Sequence, residues 1–566
     1  MLTCRVALLR LAALAFFVVS GFVVSGAASA APRKASAENI AFDLGGAHVR
    51  IARIDAEDTD ATAQDLAQLF APGDQSLLEA RLAKFAAARV SIPEIAIEKG
   101  EGAAAQKIVY RDLTLTRVAA GRIAEARAAS LDQSAAAPQG KRVDAHYEGL
   151  TAKGLDIARM IRLMTASRGD DAEKLQPIED EVAVESGVIT QPEAQLEARL
   201  GRMTARGVRA RALASGWARL ADPQEVQGDA GAALLADALT GFEFDALEAR
   251  DISLAGVAGP QHKAFSVKFG AVAASHFVNG ALGELSVSDF ALSSADGGTA
   301  SLRRLLLRGL DARSMAEAQG RRFWRVDHTE VADLAMDTPD ADSGGRMKFT
   351  LAASSADFSG FREGLPTKVK GRFDGLVIDL AARGETPGAA SALALGYRTL
   401  DLSGGFDAVW REKEEELSVN ELRLEGKDMG ALRLTALFGG VSGAVFSANP
   451  TLARAASLIV TLRSFGVDVE RASLLDRALA EEARTRGVNA LQLREDYART
   501  ASGALVAYFG DTEKSQRIGA ALSQFILNPQ RLRLRAASRL GVGALEAMAR
   551  KPGDVLNDLD IEAQAN

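Results

Sequence analysis

The chain has 566 residues, of which 48% are hydrophobic and 25% charged, and it carries a formal net charge of -7. That balance belongs to a globular protein long enough for several domains rather than to a disordered one. An acidic chain is a poor match for phosphate backbones, so nucleic acid is not an expected partner.

Arg5 and Arg10 precede an apolar run, Leu11 to Gly26, and Ala28-Ser29-Ala30 supplies small residues after it. This is the three-part layout of a secretory signal peptide, with cleavage expected after Ala30 and the periplasm as destination. The run is shorter than the roughly 20 residues a membrane-crossing helix needs. If the segment stays uncut, residues 11–26 form an inner-membrane anchor, and membrane association is expected only through that segment. No cysteine follows the run and no twin arginine precedes it, so lipoprotein and twin-arginine export are unsupported. The single cysteine, Cys4, lies inside the leader. The mature chain would then hold no disulfide, no thiol nucleophile and no cysteine ligand. Removing Arg5 and Arg10 takes the formal charge from -7 to -9.

Ala31 to Asn39 reads as a linker. Asp60 is placed to cap a helix running to about Phe70, and Asp74 a second one carrying Leu77, Leu78, Leu82 and Phe85, with Pro93 at or beyond its end. The acids Asp55, Glu57, Asp58 and Asp60 suit the positive end of that first helix. Leu113 and Leu115 alternate with threonines as a strand does. Leu155 to Thr165 is the next helix, and the polar stretch Ser167 to Pro192 reads as a long loop. Ala230 to Thr240 is apolar and helical and leads into Phe242, Phe244 and Arg250-Asp-Ile-Ser-Leu254. Three matches keep their order along the chain. They are Arg111-Asp-Leu-Thr-Leu115 with 250–254, Gly121 with Gly280, and Gly154-Leu-Asp156 with Gly309-Leu-Asp311, at offsets of 139, 159 and 155 residues. They suggest an internal duplication of a helix-plus-sheet unit.

From Lys348 to about Ala444 the strand pattern is strongest: Phe349/Leu351, Leu376/Ile378/Leu380, Leu400/Leu402, Phe406/Ala408/Trp410, Leu417/Val419, Leu422/Leu424 and Leu432/Leu434. Gly404-Gly405, Glu414 to Glu416 and Gly430 read as turns between them. Leu458 to Val469 reads as a strand and Ser473 to Arg486 as a helix closed by Gly487. Asn489 caps a helix ending near Phe509, and a third helix carries Ile518, Leu522, Phe525 and Ile526, stopped by Asn528-Pro529. Leu532 and Leu534 open a strand, Gly543 to Arg550 is a short helix, and Leu559, Ile561 and Ala563 close the chain as a strand.

The expected fold class is α+β: antiparallel β-rich meanders with helices packed on them and a helical C-terminal block. The expected divisions are a signal peptide 1–30, a linker and entry strand 31–59, a first helix-plus-sheet unit 60–215 and a second 216–345. An antiparallel strand-rich region 346–470 and a C-terminal helical block with closing strands 471–566 follow.

The stretch Ala394-Leu-Gly-Tyr-Arg-Thr-Leu-Asp-Leu402, Trp410, Leu422-Arg-Leu424 and Asp428-Met-Gly-Ala-Leu-Arg-Leu434 resembles a group of exported Gram-negative envelope proteins of unassigned activity. The helices and strands from about Ser473 onward resemble the same group. The resemblance covers roughly the last 200 residues and supplies no catalytic residues. The strand pattern is also similar, more loosely, to AsmA-like envelope proteins, which implies repeated antiparallel strands forming an apolar groove.

No residue is nominated as catalytic, cofactor-binding or metal-ligating, and no cofactor is expected. Of His48, His146, His262, His276 and His328, only His262 and His276 are close in sequence, without zinc-site spacing. Asp337 to Gly344 has some look of a calcium loop, but the twelfth position counted from Asp340 is Leu351 and not a glutamate, so a solvated hairpin tip is the reading. Gly440-Val-Ser442-Gly443 has the wrong spacing for a nucleophile elbow. Trp217, Trp324 and Trp410 read as half-buried anchors. The functional expectation is a non-catalytic structural or hydrophobic-ligand module binding lipid or another amphipathic molecule. The alternatives are a carboxylate-dependent hydrolase of envelope polymers and a protein-partner scaffold using the C-terminal helices.

Overall fold

The computed structural model describes residues 33–566 apart from 45–46, 70–80, 101–104, 137–141, 166–173, 215, 218–227, 259–262, 312–324, 341–343, 363, 384–385 and 448. The leader, Asp74, Leu77, Leu78, His262 and Trp324 lie outside the described residues. Among the described residues no helix is long and apolar enough to cross a membrane. The fold is α+β with 23 strands among the described residues, and the pairings between them run antiparallel. The described residues divide into two compact units: those up to 295 together with 308–311, and those of 296–307 with 325–566.

The first unit opens with β1 (Lys34–Leu44), β2 (Ala47–Glu57), the short helix α1 (Ala63–Gln68), β3 (Ala87–Lys99), β4 (Gln106–Ala119), β5 (Arg122–Ala136), β6 (Arg142–Asp156) and α2 (Ile157–Thr165). β7 (Gln176–Val184), β8 (Ser186–Gln191), β9 (Leu196–Leu200), β10 (Met203–Ala210), α3 (Gly228–Gly241), β11 (Phe242–Ala258), β12 (Lys263–Val278) and β13 (Ala281–Ser294) follow, and β14 (Thr299–Asp311) falls across the division. β1 to β6 form a meander, one face of which buries Ile54, Val90, Tyr110, Leu113, Leu115 and Ile123 in a continuous core. Strand alternation does this: every second residue faces the same side.

Four local expectations are corrected here. β1 begins at Lys34, inside the stretch read as linker. The first helix is capped by Thr62, whose hydroxyl and the Asp65 carboxylate close a capping box, while Asp60 pairs with Arg33. Asp55 and Glu57 lie in β2, paired with Arg53 and Lys34. Pro93 is inside β3, where the pairings on both sides skip it and its neighbour across the sheet, Asp112, has φ 51°. Proline lacks the N–H a ladder needs, so it survives in a strand only at such an interruption.

The stretch read as a long loop, 167–192, holds β7 and β8. On β7, Glu181 meets Lys153 and Arg206 in water, Glu179 is buried, and Ile178 enters the core. The recurrence read from the sequence has a backbone counterpart. Ala120-Gly121 and Asn279-Gly280 are both two-residue turns with positive φ, and Arg117 and His276, at the same offset of 159, are also left-handed. Asp112 and Asp251 share a φ near 51° as well. Their offset of 139 differs by about one strand and its turn, so the matches do not share one register.

The second unit runs through β15 (His328–Pro339), β16 (Arg346–Ser359), β17 (Lys368–Asp379), α4 (Pro387–Ala394), β18 (Thr399–Arg411), β19 (Glu416–Gly426), β20 (Gly430–Gly439), α5 (Pro450–Ser457) and β21 (Thr461–Glu470). It closes with α6 (Ser473–Arg486), α7 (Ala490–Phe509), α8 (Glu513–Leu527), β22 (Arg531–Gly543), α9 (Ala544–Ala549), α10 (Pro552–Asn557) and β23 (Asp560–Ala565). Consecutive strands from β15 to β23 pair as one antiparallel meander. Gly487 ends α6 at φ 65°, the Asn489 carboxamide accepts from the N–H groups of Leu491 and Gln492, and Thr512 caps α8. Gly404-Gly405 is not a turn but the middle of β18, and Val419 and Leu422 share β19 across a bulge. The β21 strand starts at Thr461, because Asn449-Pro450 opens a helix just before it.

Candidate functional site: an uncovered apolar sheet face

In the second unit, register converts alternation into rows. Gly371, Phe406, Leu422, Leu434, Val467, Leu534 and Ala563 stand opposite one another from β17 to β23. Phe373, Gly404, Leu424, Leu432, Val469, Leu532 and Ala565 form the next row. Ala408, Val419, Ala436, Phe465, Ala536 and Ile561 form a third. The other face is charged: Arg433 pairs with Glu421 at 2.9 Å, Arg423 with Glu425, and Asp468 with Arg531 and Arg533 at 2.9 and 3.1 Å. Burial works to raise the Asp468 pKa, but hydrogen bonds from Arg531 and Arg533 outweigh it and hold the carboxyl below its usual value.

Two covers lie on the apolar face. α8 packs Ala521, Leu522 and Phe525 on Val469, Leu532, Leu534 and Ala563. Ala389 of α4 and Tyr397 pack with Leu380, Leu400 and Met429. The Arg477 guanidinium of α6 lies 4.4 Å over the Tyr397 ring and so ties α6 to the second cover. On β18 to β21, Phe406, Leu422, Leu424, Leu432 and Phe465 stay between 37% and 48% exposed. Beside this strip, toward the ends of β18 and β20, buried Trp410 packs at a tilt against Phe446, ring centres 4.5 Å apart, and donates its indole N–H to the Val441 carbonyl at 2.7 Å. The strip offers dispersion contact and dehydration to an apolar ligand, with no acid, base or nucleophile on it.

Two further titratable sites lie in the first unit. His146 Nδ1 is 2.6 Å from Asp132, and its Nε2 faces Glu148 at 3.5 Å. The hydrogen bond with Asp132 raises the His146 pKa above its usual value, and the same bond lowers that of Asp132. Both ring nitrogens face carboxylates, an arrangement that favours the protonated imidazole. Arg111 joins Asp132 to Glu94, on the rim of an open hollow that Lys107, Arg142 and Asp144 also line. Glu179 is the opposite case: it is buried opposite Val208, and desolvation alone pushes its pKa up to about 7.

The remaining histidines are apart. His48 meets Asp43, His276 meets Ser275, and His328 meets Asp357. Among the described residues no cluster of three metal-ligating side chains occurs. Asp337 pairs across its hairpin with Arg346, and Asp340 and Gly344 close the turn. Trp217 donates to the Arg211 carbonyl and packs edge-on to Phe242. Sequence reading missed the strip's Phe373 and Phe465, which their places beside Gly371 and Val467 in alternating runs could have signalled.

A family model described only as an uncharacterized protein matches residues 423–566, which include Leu424, Leu432 and Phe465 of the strip and the helices α6, α7 and α8, but not the α4 cover. No curated protein matches the chain.

Proposed function

We propose that this is an exported cell-envelope protein, without catalytic activity, that holds an acyl chain or similar amphipathic molecule against the bare sheet face of its second unit. The observation that carries this reading is the strip Phe406, Leu422, Leu424, Leu432 and Phe465, half-exposed between two helical covers on a sheet whose other face is ion-paired. A contiguous apolar face is a burden to a protein in water unless something occupies it. The floor is flat and lacks directional groups, which favours an extended hydrocarbon over a sugar or peptide. The residue pattern of 1–30 supports export, and the periplasm is the proposed site of action.

The test is to express the chain with its leader and analyse the fractionated protein by native mass spectrometry and by uptake of a fluorescent fatty acid. Co-purifying lipid and uptake abolished by Leu424→Glu are expected. Absence of both from the wild type would remove the ligand, and full-length protein with its leader intact in the cytosol would remove the export.

A further inference from the structure

We infer that one end of the second unit docks on an anionic lipid bilayer. The surface is built from the junction between α5 and β21, a bulge in β22, and α9. In the pairing of β21 with β22, Ser464 stands opposite Ala537 and Leu462 opposite Val542, so Ser538 to Gly541 are extruded against Arg463 alone. Gly541, at φ 81°, donates its N–H to the Ser538 hydroxyl at 3.1 Å and closes the bulge on itself. Bulges of this kind re-aim side chains away from a sheet. Here Leu540 is 89% exposed, and Met548, just beyond on α9, is 84% exposed. The pairing of Thr461 with Gly543 brings Leu458 and Ile459, both exposed, to the same edge.

The two segments that carry these apolar residues are mainly basic. Residues 449–463 and 536–551 contain Arg454, Arg463, Arg539, Arg550 and Lys551 against a single carboxylate, Glu546, in a chain of net charge -7. Arg463 is paired with Glu416, and Arg550 with Glu546 and Asp558. Exposed Arg454, Arg539 and Lys551 have no carboxylate partner among the described residues. Acids border this surface: Glu416, from the hairpin tip at the same end, reaches Arg463 at 2.6 Å, Asp558 reaches Arg550, and Asp560 stands opposite Ala537, which leaves Arg454, Arg539 and Lys551 as its cationic part. Projecting apolar side chains beside three cations without carboxylate partners match a headgroup layer that is anionic at its surface and hydrocarbon beneath. A soluble acidic protein would satisfy the cations but leave Leu540 and Met548 without an apolar partner unless it carried a matching pocket. This docking is independent of residues 11–26 and of whether the strip holds a ligand.

The experiment is flotation of the full chain with phosphatidylcholine vesicles, with and without phosphatidylglycerol. Flotation with the anionic vesicles, weakened by salt, is expected. Leu540→Glu combined with Met548→Glu should lower partitioning by about tenfold or more. Arg539→Gln combined with Lys551→Gln should reduce binding only where phosphatidylglycerol is present. All four side chains point into solvent, so unchanged melting curves confirm that the variants fold. Leu424→Glu should leave flotation unaltered whatever it does to fatty-acid uptake. If the Leu540/Met548 variant floats like the wild type, or if it abolishes self-association of a chain that never floated, the docking surface is refuted.

Discussion

Phe406 lies over Gly371, its direct partner across β17 and β18, so closely that a Cβ on the glycine would come within 2.6 Å of the ring's Cζ. One row along, the Phe373 ring covers Gly404 in the same way. Each aromatic ring shields a strand glycine whose backbone would otherwise be bare, and the pair forms the level floor of the strip. Gly371→Ala should push the Phe406 ring off its site and cost about 1–3 kcal/mol by overpacking. Chemical denaturation checks this, and a loss below the error of the fit would show that the ring yields freely.

Leu424 and Leu432 face each other on the strip with much of each side chain still in water. Little burial is lost when one is shortened. Leu424→Ala should therefore lower stability by no more than about 1 kcal/mol, far less than a core leucine, while weakening uptake of a hydrophobic probe. A core-sized loss of stability would mean that the face is filled by the protein itself.

Glu179 gives a pH signature. Burial raises its pKa from 4.5 to about 7 in the folded protein. Between these values the folded chain holds a proton that the unfolded chain has released. Stability should then fall as pH rises from about 4.5 to about 7 and level off above, a total on the order of 3 kcal/mol. Glu179→Gln removes that dependence. It should match the wild type near about pH 4 and exceed it by up to about 3 kcal/mol near about pH 8. Urea titrations at the two pH values decide it, and an equal difference at both would contradict a buried neutral carboxyl.

The Trp410 indole N–H meets the Val441 carbonyl in a buried setting. Trp410→Phe keeps an aromatic ring against Phe446 but strands that carbonyl, at a cost of about 1–3 kcal/mol. Thermal melting measures the loss, and a Tm equal to the wild type would show that the carbonyl finds water instead.

Much of the second unit was legible because its signals are local. Asn489, Gly487 and Asn528-Pro529 mark helix ends through hydrogen bonds and backbone angles within a few residues of themselves. Leu422/Leu424 and Leu432/Leu434 declare strands because side chains alternate every second residue. Local reasoning failed where an interaction across the sheet overrode a residue's habit. Gly404-Gly405 has turn composition, yet Phe373 and the partner strands hold it extended. Pro93 has helix-stop chemistry, yet it sits at a gap in two ladders. The acids of β7 looked like a loop because Lys153 and Arg206, which neutralise Glu181, arrive from strands 28 and 25 residues away in sequence.

The alternating pattern by itself determined that a sheet with one oily face would form here, since the period of a strand leaves no other arrangement for those side chains. Only the tertiary structure decided which part of that face stays open. Leu532 and Leu534 lie under α8, while Leu422 and Leu424, written in the same alternation, do not. A helix covers what its length and connections let it reach, and that reach is a property of the assembled chain, not of the residues it leaves bare.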